Sequence, residues 1–110
     1  MKVAYIFEST HALTILESMI IPQMEENRHG ADVMGMMFFF DTAFLLVKGL
    51  PLAERINDLA EKTGMLVMAC DRCCFQRGIE EKLVTNAKMG CFPDVYTALG
   101  KVGVDQVITL

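Results

Sequence analysis

The chain has 110 residues, of which 53% are hydrophobic and 22% are charged, and its formal net charge is −4. This length and composition predict one folded domain, residues 1–110, rather than a disordered chain. The lack of a basic cluster disfavours nucleic acid as a partner, and no apolar run approaches the roughly 18 residues that span a bilayer. The opening "MKVAYIF" is too weakly apolar for a signal peptide. We therefore expect a cytoplasmic protein, with no membrane partner, whose four cysteines are kept reduced.

The first half of the chain alternates between strand and helix patterns. Residues 2–7, "KVAYIF", are apolar and rich in β-formers, which predicts a strand. Apolar residues then recur at helical spacing over 11–28, and Pro22 predicts a kink or a restart in that helix. Residues 31–40, "ADVMGMMFFF", are apolar on both faces, which is typical of a strand covered by helices on both sides. A short helix or turn is expected over 41–49.

The second half continues this alternation. The predicted elements are a helix at 51–64, a strand at 65–70, a helix at 71–78 that gains a turn or two over 79–84, a strand at 87–91, a helix at 93–102 and a strand at 105–110. Strand and helix thus alternate about five times with short connections. This pattern predicts an α/β fold with a mainly parallel five-stranded sheet and helices on both faces.

Three of the four cysteines are clustered in "CDRCC". Cys70 ends the third predicted strand, and Cys73 falls in the first turn of the following helix. Chemistry in open α/β sheets collects outside the carboxyl ends of the strands, and a helix N-terminus favours a thiolate. Arg72 adds positive charge nearby, and Cys91 ends the fourth predicted strand and approaches the same rim. The pattern predicts a site built for a nucleophilic sulfur.

Other roles for these residues stay open at this point. Cys70 and Cys73 form a C-x-x-C pair, which also occurs in redox modules and metal sites. A zinc or cluster site would take Cys70, Cys73 and Cys91, with Cys74 or His11 as a fourth ligand, although a second C-x-x-C pair is missing. His11, after the first strand, is a candidate for proton transfer. Cys74 and Cys91 are otherwise explained as small buried hydrophobic residues.

The sequence resembles the DsrE/DsrF-like (TusD-like) sulfur-relay family over almost the whole chain. The specific part is a cysteine that ends a core strand and is followed seven and eight positions later by Arg-Gly, here Cys70, Arg77 and Gly78. The segments "KVAYIF", "GMMFFFDTAFLLVKG" and "MGCFPDVYTALGKVGVDQVITL" also resemble family members. Two features depart from the pattern: Thr42 stands where a glycine is frequent, and Cys74 is an additional cysteine.

The resemblance implies a flavodoxin-like three-layer α/β/α sandwich that assembles into homo-trimers or homo-hexamers. It also implies a sulfurtransferase-like carrier that holds sulfane sulfur as a persulfide on Cys70, with Cys73 as a second cysteine that passes the sulfur on or closes a disulfide. Arg72 and Arg77 would support the site. The partners would be sulfur-donor and sulfur-acceptor proteins. Residues 38–49, "FFFDTAFLLVKG", are our candidate subunit contact because they carry bulky apolar residues beyond a strand end.

We expect neither a metal nor an organic cofactor. The eight glycines form no G-x-G-x-x-G motif and no P-loop, so nothing in the sequence indicates a nucleotide site. The functional alternatives to sulfur transfer are a thiolate metal or cluster module, a C-x-x-C redox module, and a non-catalytic assembly subunit whose cysteines are simply packed.

Overall fold

The computed structural model describes every residue from Met1 to Leu110 and contains one five-stranded, fully parallel sheet. Its strands are β1 (Lys2–Phe7), β2 (Asp32–Phe38), β3 (Leu66–Cys70), β4 (Ala87–Gly90) and β5 (Gln106–Thr109). Their order across the sheet is β4-β3-β2-β1-β5. The α/β prediction is confirmed, and the sheet is parallel throughout rather than only in the main.

Five α-helices connect and cover the strands. They are α1 (Leu13–Ile15), α2 (Ile21–Glu25), α3 (Pro51–Thr63), α4 (Asp71–Arg77) and α5 (Phe92–Val102), with 3₁₀ turns at Thr10–Ala12 and Phe40–Leu46 and a π-helical turn at Leu16–Ile20. None of the helices has the length and apolar character needed to cross a membrane.

The strand order determines where the helices lie. From β1 to β4 each strand is placed beside the preceding one in the same direction, whereas the connection from β4 to β5 runs back across the whole sheet. Because parallel crossovers are right-handed, α1 to α4 lie on one face and α5 lies on the other. The connections after β3 and β4 therefore leave toward opposite faces. That divergence opens a crevice at the carboxyl ends of these two strands, where α/β folds bind ligands.

The core lies between the sheet and these helices and contains 28 buried hydrophobic residues. Met36, Met37 and Phe38 of β2 are fully enclosed, as expected for a strand covered on both faces. The 3₁₀ turn after β2 is anchored by Thr42, the one buried polar residue, whose Oγ1 lies 2.9 Å from the carbonyl oxygen of Phe7 and 2.6 Å from that of Phe39. The turn is thereby held against the end of β1.

Two local predictions have different outcomes in the structure, one at Pro22 and one after α4. Pro22 does restart the helix: Ile21 N–H bonds to the Leu16 carbonyl across a π turn, and Pro22 then occupies the first turn of α2, where its missing N–H is tolerated. The predicted extension of helix 71–78 over 79–84 is wrong. Gly78 adopts a left-handed conformation that ends α4, and Leu83 then forms a bridge with Val47.

Candidate active site

Cys70 lies at the junction of β3 and α4. It is the last residue of β3 and the N-cap of α4, and its Sγ accepts a hydrogen bond from the backbone N–H of Cys73 at 3.3 Å. Only 8% of Cys70 is exposed. The N-cap position directs the sulfur toward a backbone donor of the first helical turn, as it directs a serine hydroxyl in other proteins. Cys70 is thus held in one orientation at the edge of the crevice.

Cys73 is held by the chain that follows β2. It is 4% exposed, and its Sγ accepts a hydrogen bond from the backbone N–H of Phe40 at 3.1 Å. Phe40 has a φ of +57°, a left-handed conformation that is uncommon for residues other than glycine. Such a conformation costs of order 1–3 kcal/mol and is retained where the surroundings require it. Here it turns an N–H toward a thiol, a feature that the sequence does not reveal.

Arg77 joins α4 to the same 3₁₀ turn. Its Nε and Nη2 atoms lie 2.9 Å and 2.8 Å from Oδ1 of Asp41, and its Nη1 donates to the carbonyl oxygen of Cys73 at 3.2 Å. Arg77 therefore binds the backbone of Cys73 and not its sulfur. This arrangement keeps Phe40 and Cys73 together, so the arginine of the C-x6-RG pattern acts as a clamp between two elements.

The start of α4 does not make Cys70 an acidic thiol. Burial raises the pKa of Cys70, a hydrogen bond with the Cys73 thiol raises it further, and the Cys73 N–H, which lowers it, does not compensate. The expectation that the helix N-terminus favours a thiolate is therefore wrong for Cys70 in the resting protein. Loss of water around a buried sulfur outweighs a single backbone donor.

Cys74 is enclosed on the inner side of α4. It has no exposed surface, and burial raises the pKa of its thiol to about 11. A thiol in this state is protonated at neutral pH and is unreactive. Its position supports the explanation of Cys74 as a small hydrophobic residue of the core.

Cys91 follows β4 and is the N-cap of α5. Its backbone N–H donates to Asp94 Oδ2 at 2.8 Å, which ties the start of α5 to its own first turn. The preceding residue, Gly90, pairs with Cys70 in the sheet register. Cys91 is also partly exposed, whereas the other three cysteines are buried. The register thus places Cys91 one residue beyond the sheet partner of Cys70.

Arg72 and His11 stand apart from the sulfur atoms. The side chain of Arg72 is exposed and forms neither a hydrogen bond nor an ion pair, and its backbone N–H bonds to Asp71 Oδ1 at 2.6 Å. His11 is exposed in the 3₁₀ turn after β1; its side chain forms no hydrogen bond, and its backbone N–H bonds to Ser9 Oγ. The structure therefore brings together Cys70, Cys73 and Cys91 with the Arg77 clamp, but not these two residues.

The geometry gives no support to a metal centre. No group of three or more histidine, cysteine, aspartate or glutamate side chains is placed to hold a metal ion. Cys70, Cys73 and Cys91 therefore share one region without converging on a common point. A cavity of about 520 Å³ lies near the amino ends of β1 and β2, where Met1, His29 and Asp32 contribute to its wall, and no cysteine lines it.

An aromatic stack, which the sequence did not indicate, borders the thiols on the α5 side. Phe39 follows β2 and its ring lies 5.0 Å from that of Phe92, the first residue of α5, and Phe92 lies 6.2 Å from Tyr96. Phe39 is buried, whereas Phe92 and Tyr96 are exposed. The stack therefore runs from the core to the surface immediately beside Cys91.

The strand order and the layers define a flavodoxin-like α/β/α sandwich, and three solved structures share this fold over nearly their whole length. The ychN protein from E. coli has a TM-score of 0.69 at 16% identity, over 99% of this chain and 97% of that chain. For MTH1491 from Methanobacterium thermoautotrophicum the TM-score is 0.68 at 11% identity, over 99% and 97%. For BT1422 from Bacteroides thetaiotaomicron it is 0.65 at 15% identity, over 98% and 94%. The sequence matches no protein-family model and no curated protein.

These likenesses establish the fold across nearly the whole chain. MTH1491 and BT1422 are themselves proteins of unknown function. At 11–16% identity the likeness shows the fold alone, and function has to be argued from the thiols.

Proposed function

We propose that this protein is a cytoplasmic sulfur carrier that holds sulfane sulfur as a persulfide on Cys70. The observation that carries the proposal is the position of Cys70 at the carboxyl end of β3, where its Sγ is fixed by the Cys73 N–H at 3.3 Å beside a second thiol. The crevice between β3 and β4 is the place where this fold class binds ligands. The match of Cys70, Arg77 and Gly78 to the sulfur-relay pattern points to the same sulfur.

The reaction is an exchange at sulfur. The Cys70 thiol loses its proton to water, and its thiolate attacks the outer sulfur of a persulfide on the donor protein. A bond forms between Cys70 Sγ and that sulfur, the donor S–S bond breaks, and its electron pair leaves with the donor thiolate. An acceptor thiolate then attacks the outer sulfur on Cys70, and Cys70 leaves as a thiolate. No metal, organic cofactor or net oxidant enters this exchange.

Burial of Cys70 shapes this chemistry in two ways. Because burial raises the pKa of Cys70, the resting sulfur is protonated and reacts slowly with adventitious electrophiles. An enclosed persulfide is likewise shielded from water and from small thiols that would discharge it. A carrier needs both properties between loading and delivery.

Assembly into a homo-oligomer is part of the proposal. Phe40 and Phe44, in the segment 38–49, are exposed apolar residues beyond the end of β2, and Phe92 and Tyr96 add exposed aromatic surface on the other face. A soluble domain rarely leaves so many large apolar side chains uncovered. Association of identical chains would cover part of this surface and fix the surroundings of each thiol crevice.

Cyanide discharge tests the carrier function. The protein is loaded with a cysteine desulfurase and cysteine, freed of both, and treated with cyanide, which removes sulfane sulfur as thiocyanate. We expect up to one thiocyanate per chain, none from Cys70→Ser, and the wild-type yield from Cys74→Ala, the matched control at a neighbouring buried thiol. An unchanged yield from Cys70→Ser would refute the assignment.

A dithiol redox function is the second candidate, favoured by the C-x-x-C spacing of Cys70 and Cys73 and by the bond from the Cys73 N–H to Cys70 Sγ at 3.3 Å. In that function an oxidant removes two electrons and two protons, and one S–S bond joins Cys70 to Cys73. Titration of the reduced protein against a glutathione redox buffer tests it. A pair that stays reduced across the whole buffer range would eliminate this candidate and leave the sulfur carrier untouched.

A further inference from the structure

The sheet register brings a third cysteine next to Cys70. Cys70 pairs with Gly90 across the β3–β4 ladder, and Cys91 is the next residue along the chain. Neighbouring strands are about 4.8 Å apart and advance about 3.3 Å per residue, which puts the Cα atoms of Cys70 and Cys91 roughly 6 Å apart. This Cα separation is in the range found for cysteines whose sulfurs can meet when their side chains converge.

Cys70 lies on the α5 side of the sheet, and Cys91 is the residue from which α5 begins. A Cβ placed on Gly90 would lie 3.1 Å from Met68 Sδ and 2.9 Å from Asp94 Cβ, so Met68 projects toward α5. Cys70 is two residues beyond Met68 and therefore projects from the same face. Cys91 is the N-cap residue of α5, and its backbone N–H donates to Asp94 Oδ2 at 2.8 Å. Burial and the charge of Cys91 both contribute to the raised pKa of Cys70, in agreement with this proximity.

Exposure separates the roles of the cysteines. Cys70 is 8% exposed and Cys73 is 4% exposed, whereas Cys91 is partly open to solvent. An acceptor thiolate on another protein has to approach the outer sulfur in line with the bond that breaks, which is easier at the exposed position. Cys73 faces the 3₁₀ turn after β2, because its Sγ accepts the N–H of Phe40. Cys91 is thus the cysteine placed between the buried carrier and solvent.

We propose that Cys91 takes the sulfane sulfur from Cys70 and presents it to the acceptor; this inference rests on the proposed carrier function. The Cys91 thiolate attacks the outer sulfur of the Cys70 persulfide. A bond forms between Cys91 Sγ and that sulfur, the S–S bond at Cys70 breaks, and Cys70 leaves as a thiolate that takes a proton from water. The electron count is unchanged, and no further reactant enters.

Trypsin separates the relevant cysteines into different peptides. Cleavage after Lys62, Arg72 and Lys88 isolates Cys70 in residues 63–72 and Cys91 in residues 89–101. The full-length protein is loaded with a cysteine desulfurase and cysteine, desalted to remove the donor, and alkylated at successive times. Mass spectrometry of the two peptides then locates the sulfur. Several protein concentrations distinguish transfer within a chain from transfer between chains.

We expect the sulfur to decline on residues 63–72 and to rise on residues 89–101 at a rate independent of protein concentration. In Cys91→Ser the sulfur should stay on Cys70, and delivery to a reduced acceptor thiol should slow by about tenfold or more, because a favourably placed intramolecular step is lost. Serine is a preferred N-cap, so this variant keeps the start of α5. An unchanged thermal unfolding midpoint verifies that it is folded.

The outcomes separate the inference from the carrier function. Sulfur that stays on residues 63–72 while the acceptor is discharged at the wild-type rate overturns the role of Cys91 and leaves Cys70 as the carrier. Equal loading of Cys91 in Cys70→Ser also overturns the inference, because Cys91 then does not depend on Cys70. Absence of sulfur from both peptides at every time point refutes the carrier function itself.

Discussion

Cys74 is fully enclosed, and burial raises the pKa of its thiol from 9.0 to about 11. At a pH well below 9.0 the Cys74 thiol keeps its proton in both the folded and the unfolded state, so its ionisation does not change the free energy of unfolding. Between 9.0 and about 11 the unfolded chain loses the proton while the folded chain keeps it, so stability falls as the pH rises. Cys74→Ala removes this contribution.

We therefore expect the alkaline loss of stability to be smaller in Cys74→Ala than in the wild type. Urea unfolding on both sides of that pH window measures it. Part of the loss should persist in the variant, because burial also raises the pKa of Cys70. An identical pH dependence in the two proteins would show that Cys74 does not titrate differently on folding.

The sequence indicates Cys70 and Cys73 as candidate site residues, but it does not indicate how deeply they are buried or in which direction burial shifts the pKa of Cys70. Cys70 and Cys73 are recognisable because an apolar strand runs directly into a helix at their positions. Their burial depends on residues far away in the chain, including Phe40, whose left-handed backbone brings its N–H to Cys73. No local pattern predicts that conformation, since phenylalanine does not favour it. The pKa direction at Cys70 was missed for the same reason.

At the scale of elements, the Arg77 clamp connects α4 to the 3₁₀ turn after β2. Arg77→Ala should lower the free energy of unfolding by about 1 kcal/mol, because it removes a partly exposed ion pair and a hydrogen bond to a backbone carbonyl. It should also slow persulfide loading, since Phe40 and Cys73 are no longer held together. Chemical unfolding and the cyanide assay measure the two effects.

Asp41→Asn is the matched control for that variant. It weakens the ion pair but leaves the bond from Arg77 to the Cys73 carbonyl, so its effect on loading should be smaller. If Asp41→Asn and Arg77→Ala impair loading equally, the ion pair rather than the bond to Cys73 controls the site.

Gly90 allows α5 to approach the sheet next to Cys91. A Cβ at this position would be 2.9 Å from Asp94 Cβ and 3.1 Å from Met68 Sδ. The first separation is too short for two real carbon atoms, so α5 or β4 would have to move. Gly90→Ala should therefore destabilise the fold by about 1–3 kcal/mol. It should also displace α5, which thermal unfolding together with alkylation of Cys91 would reveal. Gly100→Ala, where a Cβ meets nothing within 4 Å, is the control: it should leave alkylation of Cys91 unchanged and should not lower the unfolding midpoint, because alanine favours a helix interior.

Elements with strong local signals were predictable. The helix at 51–64 has proline at its start and Gly64, with a φ of +77°, at its end, and the structure shows Pro51–Thr63. Residues 79–84 have apolar spacing that a helix could use, but the left-handed Gly78 ends α4 and Leu83 pairs with a distant residue. Long-range pairing of this kind is not encoded in a local pattern.

On the scale of the whole molecule, alternation of strands and helices predicted the parallel sheet but not the order of its strands. The return of the chain from β4 to β5 across the sheet places α5 alone on its face and opens the crevice beside Cys70. That placement depends on how all five strands associate. The aromatic stack of Phe39, Phe92 and Tyr96 follows from it and was equally hidden in the sequence.

Assembly is also a prediction about the whole molecule. Light scattering at micromolar concentration should give a mass that is a multiple of 12.3 kDa. Phe44→Asp, within the candidate contact, should lower that mass, whereas Phe75→Asp, an exposed residue of α4 outside it, should not. A mass of 12.3 kDa that persists as concentration rises would contradict the prediction.

The most direct test of the account is the intact mass of the protein after incubation with a cysteine desulfurase and cysteine. The wild type and Cys74→Ala should each gain the mass of one sulfur atom, and a reducing agent should reverse the gain. Cys70→Ser should gain nothing, because the attacking sulfur is absent. A gain of one sulfur that survives in Cys70→Ser, or its absence from the wild type, would contradict the assignment of Cys70 as the persulfide carrier.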